Sequence, residues 1–367
     1  MGCAITASII LAHSFRQQAP PGERAARSRQ LEYVVKATAR ASILQSHGPL
    51  SFQALAFHPD GRWLLSDELV LDGGPKWQEP FRKTTYGSRV LLRRADTLAI
   101  IRELPAVARV LAVSPDGERL LGLDRKGWAA IWDTRNWSLL VRLAPGSLEQ
   151  PAGVFSPSAH EVGFVDRREQ VSRWDVSTGQ MIARVPVARE IFGFLGSGEN
   201  CLVSSGRGSG TTVFAAEVGL RRPVLDLGQE LGRGELAVSA DGSIVARAGD
   251  DQVLLWRADR LLRSKPIDRW AHALRREDWA VHRRIRMQHA APNQLAWSPD
   301  GTTLIVRGRA GSLWHIDRTS GALTSIYTCK STFGKLAASR GAKLVAVSSG
   351  DRIVMLKLRE DERHSHP

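Results

Sequence analysis

Short apolar runs rich in Val, Leu, Ile and Ala alternate with polar turns along most of the chain. Runs of this length, bounded by Ser, Pro, Asp and Gly, predict β-strands. The clearest unit is an apolar strand, a Ser-Pro-Asp-Gly turn (His-Pro-Asp-Gly at His58 and Ser-Ala-Asp-Gly at Ser239) and a second apolar strand. It occurs at Leu55–Gly61, Leu111–Gly117, Leu236–Gly242 and Leu295–Gly301, with weaker copies at Val154–Pro157, Phe194–Gly198 and Leu336–Gly341. Within the turn, proline sets φ, aspartate bonds back to the backbone and glycine accepts a positive φ. A third strand ends in Ile131-Trp132-Asp133, Arg173-Trp174-Asp175, Leu255-Trp256-Arg257 or His315-Ile316-Asp317. A fourth follows, as at Ser138–Leu143 and Gln180–Val185. Four short strands per unit make a propeller blade. The pattern therefore predicts an all-β fold, a seven-bladed β-propeller of four-stranded antiparallel blades.

The units recur about every forty residues, the spacing of stacked or radial repeats. The Ser-Pro-Asp-Gly turns, together with Trp132-Asp133 and Trp174-Asp175, resemble the WD-repeat family over residues 50–358. The resemblance implies a ring that works through protein interaction. This chain departs from the family pattern in named places. The Gly-His pair that opens a full repeat is missing, and His47 and His289 stand only near its place. Only Asp250 precedes its tryptophan at the family's spacing, while Asp124 and Asp166 are displaced. The resemblance is thus to degenerate repeats, most without the family's buried hydrogen-bonded network.

The last repeat, ending Arg352–Leu358, has three strands of its own. Leu31–Gln45 has strand propensity and would supply the fourth, which removes an exposed edge. The predicted organisation is a disordered segment over 1–29, a propeller over 30–360 closed by the N-terminal strand, and a polar tail over 361–367.

Two intervals between turns are longer than the rest. The first excess lies from Asp67 to Tyr86 and the second from Ala271 to Pro292. Long loops in compact domains are often functional. In the second, Trp270, Ala273, Leu274, Val281 and Ile285 fall near one face of a short helix. Arg275, Arg276, Arg283, Arg284 and Arg286 make the remainder basic, interrupted by Glu277 and Asp278. A basic amphipathic helix suits an acidic partner, a membrane surface or nucleic acid; the plainer reading is a helix packed on the ring with a solvated basic side. If the fourth strand of the fifth blade lies near Arg263–Ile267, where Pro266 suits an outer strand, both insertions rise from one face. The candidate binding residues are then Trp77, Arg82, Trp270, Arg275, Arg276, Arg283 and Arg284. Trp63, Trp128, Trp137 and Trp314 read as packing within blades.

Charge adds one consideration. The chain of 367 residues has a formal net charge of +14. A field of that sign favours acidic proteins, nucleic acid or anionic surfaces, although arginine-rich composition also yields a generally basic solvated surface. The expected partners are acidic proteins, with nucleic acid less favoured, and the ring is expected to be monomeric. Motifs for catalysis are absent. There is no GxxxxGK[ST] loop, no HExxH pair and no GxSxG elbow. The glycines of Ser205–Gly210 fall between two strands of the fourth blade, where a hairpin suits them better than a phosphate cradle. The expected role is a non-catalytic interaction scaffold without cofactor or metal. The competing reading is an enzyme with an axial site, lactonase-like or cofactor-dependent.

Cys3, Cys201 and Cys329 form neither a CxxC pair nor an even set, which points to a reducing compartment and a cytoplasmic protein. The apolar run Ala4–Ala12 is too short to span a membrane. Its first basic residue, Arg16, follows it, where a signal peptide wants the charge before, so export is the lesser alternative. Met1, Gly2 and Thr6 also match a loose myristoylation pattern, read as a chance match.

Overall fold

The computed structural model describes residues 33–40, 52–71, 86–147, 152–185, 190–198, 200–204, 212–217, 220–226, 235–249, 251–263, 281–287, 291–329 and 334–359. These all fall within the unit Leu31–Pro367. They form seven four-stranded sheets. Within each, neighbouring strands are antiparallel and, in all but the last sheet, follow one another along the chain, as hairpin-linked strands do. The sheets are blades of a β-propeller. Blade one comprises Phe52–Phe57, Trp63–Leu71, Tyr86–Arg94 and Ile100–Glu103 from the inner to the outer strand. Blade two comprises Val107–Val113, Arg119–Asp124, Trp128–Asp133 and Leu139–Pro145. Blade three is Gly153–Phe155, Glu161–Val165, Val171–Asp175 and Met181–Val185. Blade four is Glu190–Leu195, Asn200–Ser204, Thr212–Glu217 and Leu220–Asp226. Blade five is Leu236–Val238, Ile244–Ala248, Gln252–Arg257 and Val281–Arg286. Blade six is Pro292–Trp297, Thr303–Gly308, Ser312–Asp317 and Leu323–Thr328. Blade seven takes Leu336–Ala338, Leu344–Ser349 and Arg352–Leu358 from the end of the chain, and Tyr33–Arg40 from its beginning. Tyr33 lies opposite Leu358 and Arg40 opposite Arg352.

Burial explains why the strands read as they do. A second or third strand is covered on both faces by neighbouring blades, so it is apolar almost throughout. Leu120–Asp124 and Ile244–Ala248 are buried at every position. An outer strand has solvent beyond it, and Leu139–Pro145 begins with two exposed residues. Between blades the core is layered. Leu65, Val90 and Leu92 of blade one pack on Val110, Leu120 and Trp132 of blade two. Ala246 and Leu255 of blade five pack on Leu304 and Ile316 of blade six.

Strand direction alternates, so connections alternate between two faces. The first-to-second and third-to-fourth turns share one face, here the turn face. Each blade is tied to the next there. Arg119 Nη1 donates to Ala159 O at 3.3 Å, and Arg173 Nη2 to Gly198 O at 3.3 Å. Gly196 N donates to Gly242 O at 2.8 Å, and Arg318 Nη1 to Asp241 Oδ2 at 2.8 Å. Gly341 N donates to Asp300 Oδ2 at 2.8 Å, and Arg340 N to Pro59 O at 3.1 Å. Between blades one and two the tie is steric. Gly117 has φ +79°, and a Cβ added there would clash with the His58 ring. Links two–three through seven–one, with that contact, close the circuit.

Two sequence expectations are corrected. The short helix expected in the second insertion is not formed by its described part: Val281–Arg286 is a strand. The one α-helix among the described residues is Ala258–Arg263, a single turn and a half directly after the third strand of blade five. Leu261 is fully buried there, so the helix is a packed stub. The register of blade five changes with it. Its outer strand is not Arg263–Ile267 but Val281–Arg286, paired with Gln252–Arg257 from Gln252 opposite Arg286 to Trp256 opposite Val281. The second insertion therefore joins the third strand to the fourth and emerges on the turn face. The first joins the second strand to the third and emerges on the opposite face. The two do not share a face.

Candidate functional site

Of the candidate binding residues, Trp77, Arg82, Trp270, Arg275 and Arg276 lie outside the described residues. Arg283 and Arg284 lie on the outer strand of blade five, opposite Leu255 and Leu254. Alternation along a strand sends successive side chains to opposite sides. Arg283 is half-buried and turns toward blade six, where its Nη2 donates to Thr319 O at 2.9 Å. Arg284 and Arg286 are exposed. With Asp251 and Gln252 they line a cleft on the opposite face. The field here is cationic. Partial burial, and then repulsion from Arg283, Arg257, Arg260 and Arg318, holds the His282 imidazole below its ordinary range.

Two carboxylates bond neighbouring blades to each other. Asp67, on the second strand of blade one, is fully buried. Its Oδ2 accepts from Val110 N at 3.4 Å, on the inner strand of blade two, and lies 3.7 Å from Arg109 Nη1. Ser88 donates to its Oδ1 at 3.1 Å. Burial pushes its carboxyl up to about 6 against the pull of Arg109 and these donors. In blade five, Glu235 Oε2 accepts from Leu295 N at 3.0 Å, on the inner strand of blade six. Gln294 Nε2 then donates to Gly334 O of blade seven at 2.6 Å. Each carboxylate bonds the neighbouring blade's backbone. No group of three His, Cys, Asp or Glu side chains with metal-binding geometry occurs among the described residues. Cys201 and Cys329 are buried and not joined in a disulfide, and burial pushes the Cys201 thiol up to about 11.

Asp124 and Asp166 close the turns between second and third strands. Asp124 Oδ1 accepts from Lys126 N and Trp128 N, and Asp166 Oδ1 from Arg168 N and Gln170 N. Their Oδ2 atoms meet Arg142 Nε at 2.9 Å and Arg184 Nε at 3.4 Å on the outer strands. Each arginine follows its aspartate at the same chain separation, a repeat signal that the tryptophan-based reading passed over. Trp63, Trp137 and Trp314 are half-buried, with Trp63 and Trp137 in ring contact across blades one and two at 5.4 Å. Trp128 is the exposed one of the four.

A further surface was not foreseen. Outer strands begin with an exposed apolar pair in three consecutive blades: Ile100-Ile101, Leu139-Leu140 and Met181-Ile182. Blade seven adds Val34-Val35, and all eight residues are between 37% and 51% exposed. The register shifts at the same place in these strands, leaving Ile101, Leu140, Ile182 and Lys36 as the bulged residues. Exposed Lys36, Arg102, Arg142 and Arg184 stand beside the pairs.

No protein-family model matches the chain, and no curated protein matches it. The WD-repeat resemblance is corrected accordingly: the chain is a propeller of four-stranded blades that meets no WD-repeat model. No helix among the described residues is long and apolar enough to cross a membrane.

Proposed function

We propose that this propeller is a non-catalytic interaction scaffold that binds an acidic protein partner at the outer edge of blade five. The observation that carries the reading is the cationic strand Val281–Arg286. It presents exposed Arg284 and Arg286 beside a cleft while Arg283 anchors the strand to blade six. An arginine at a cleft is a strong contact for a carboxylate, since its planar fork donates two parallel hydrogen bonds. The involvement of Asp67 and Glu235 in inter-blade bonds supports a structural use of these two carboxylates.

Affinity capture with the wild-type chain and with R284E/R286E tests this. Both arginines are exposed, so the variant is expected to melt with the wild type. Proteins with an excess of Asp and Glu at the contact should be captured by the wild type and lost from the variant. Equal capture by both would overturn the reading. Capture that instead falls with salt in the presence of polynucleotide would point to phosphate contacts and counterion release.

A further inference from the structure

We propose that the rim of blades seven, one, two and three is a second docking surface, which takes an acidic protein segment with one apolar face. The proposal rests on the reading of the chain as an interaction scaffold and adds a surface remote in sequence from Val281–Arg286.

Single exposed apolar residues are ordinary on protein surfaces. The arrangement here is not a scatter. The pairs recur at the same strand position in blades one, two and three, and blade seven carries its pair one residue earlier, with Lys36 at the bulge. The matching positions of blades five and six hold Val281-His282 and Leu323-Thr324, of which Val281 and Leu323 are half-buried. One arc of the rim is thus apolar and the next is not. An apolar surface arranged in this way marks an interaction site.

The chemistry of the occupant follows from what surrounds the pairs. Lys36, Arg102, Arg142 and Arg184 are exposed beside them. Arg142 and Arg184 pair with Asp124 and Asp166 through Nε, but the arginine side chains remain 47% and 37% exposed. An apolar centre with a cationic border matches a segment that is apolar on one side and acidic at its margins. With a formal charge of +14, a second copy of the chain is repelled. The mode of binding follows from the bulges. An outer strand offers an unpaired edge, but a bulge twists and interrupts that edge. Ile101, Leu140 and Ile182 sit at those interruptions. Recognition therefore uses side chains across the arc, not an added strand.

The test is selection of a random sixteen-residue phage-displayed peptide library on the wild-type chain, followed by affinity measurement on variants. The apolar variant is I101S/L140S/I182S. The charge variant is K36E/R102E. All five residues are exposed, so unchanged melting is expected and is measured first; V35S with L139S and M181S is a second apolar set should the first fail to fold. Enriched peptides are expected to carry more Asp and Glu than Lys and Arg, with apolar residues between. Their binding should weaken at least ten-fold on the apolar variant and at least three-fold on the charge variant, and be untouched by R284E/R286E. Peptides that bind the apolar variant undiminished, basic peptides, an empty selection, or wild-type self-association lost in the variant would each overturn the proposal. Peptides that lose affinity only on R284E/R286E would sink the rim and leave the blade-five reading standing.

Discussion

The buried ion pair of blade one offers the sharpest check on how this ring is held. Arg93 stands where Trp132 stands in blade two, Trp174 in blade three and Trp256 in blade five, at the next-to-last paired position of the third strand. Its Nη2 meets Glu68 Oε1 at 2.6 Å, with side chains 3% and 1% exposed. Nε donates to Ser66 Oγ at 3.0 Å, Nη1 to Leu98 O at 2.9 Å, and Ser66 Oγ to Glu68 Oε1 at 3.0 Å. Removing one partner strands a buried charge, at a cost of about 3–5 kcal/mol. Removing both, with apolar side chains of similar volume, eliminates the desolvation penalty along with the attraction. E68L and R93M should therefore each lower stability by about 3–5 kcal/mol, a fall in Tm on the order of 5 °C in a chain of this size. E68L/R93M should stay within about 2 kcal/mol of the wild type, the residue being the donors lost at Ser66 and Leu98 O. Tryptophan fluorescence during denaturant unfolding reads all four proteins. If the singles and the double simply add, the pair is not coupled and the reasoning fails.

Three other outcomes are expected. The folded-state pKa of Asp67 is raised, so its contribution is fully present below its unfolded value near 3.8 and is lost as pH rises through about 6. D67N should accordingly gain on the wild type by up to about 3 kcal/mol between pH 4 and 7, and parallel stability–pH curves for the two would refute it. Gly117→Ala should cost about 2–3 kcal/mol through its clash with His58, partly relieved by His58→Ala, whereas Gly350→Ala, with nothing within 4 Å of the new Cβ, should cost only about 1 kcal/mol; melting temperatures of the three variants decide it. Removing residues 1–41 should uncover the Arg352–Leu358 edge and lower Tm markedly, while removing 1–30 should leave it nearly unchanged; equal melting of the two truncations would deny the closing strand its role.

How far the sequence revealed this molecule depends on the element. The Ser-Pro-Asp-Gly turns were legible because the turn geometry demands those residues; Gly61, Gly117, Gly242 and Gly301 all have positive φ. The outer strand of blade five was not. Counting onward from Trp256 assumes a tight hairpin, and the stub Ala258–Arg263 breaks that count by burying Leu261. Val281-His282-Arg283-Arg284-Ile285-Arg286 then fits a helical face and an outer strand equally well, because Val281 and Ile285 satisfy both periods. In the sequence Arg283 and Arg284 differ in nothing but position; that one anchors and the other is exposed follows from strand alternation. The rim pairs escaped because the side of an outer strand that faces solvent is a property of the ring, and two adjacent apolar residues look like core in any local window.

The closure of blade seven has a consequence for how the protein is made. Tyr33–Arg40 leaves the ribosome long before its hydrogen-bonding partner, Arg352–Leu358. Until then the strand carries Val34 and Val35 with an open edge on either side. Contacts so distant in sequence form slowly, because the loop must close before they reward it. Synthesis at about 5–20 residues per second leaves that strand waiting for tens of seconds. Throughout that interval blades one to six can assemble vectorially, but the ring is an open arc with an uncovered blade face at each end. Nascent chains stalled before residue 352 should thus be the species that chaperones hold and proteases cut, and the final seven-residue strand converts a protease-sensitive intermediate into a sealed one.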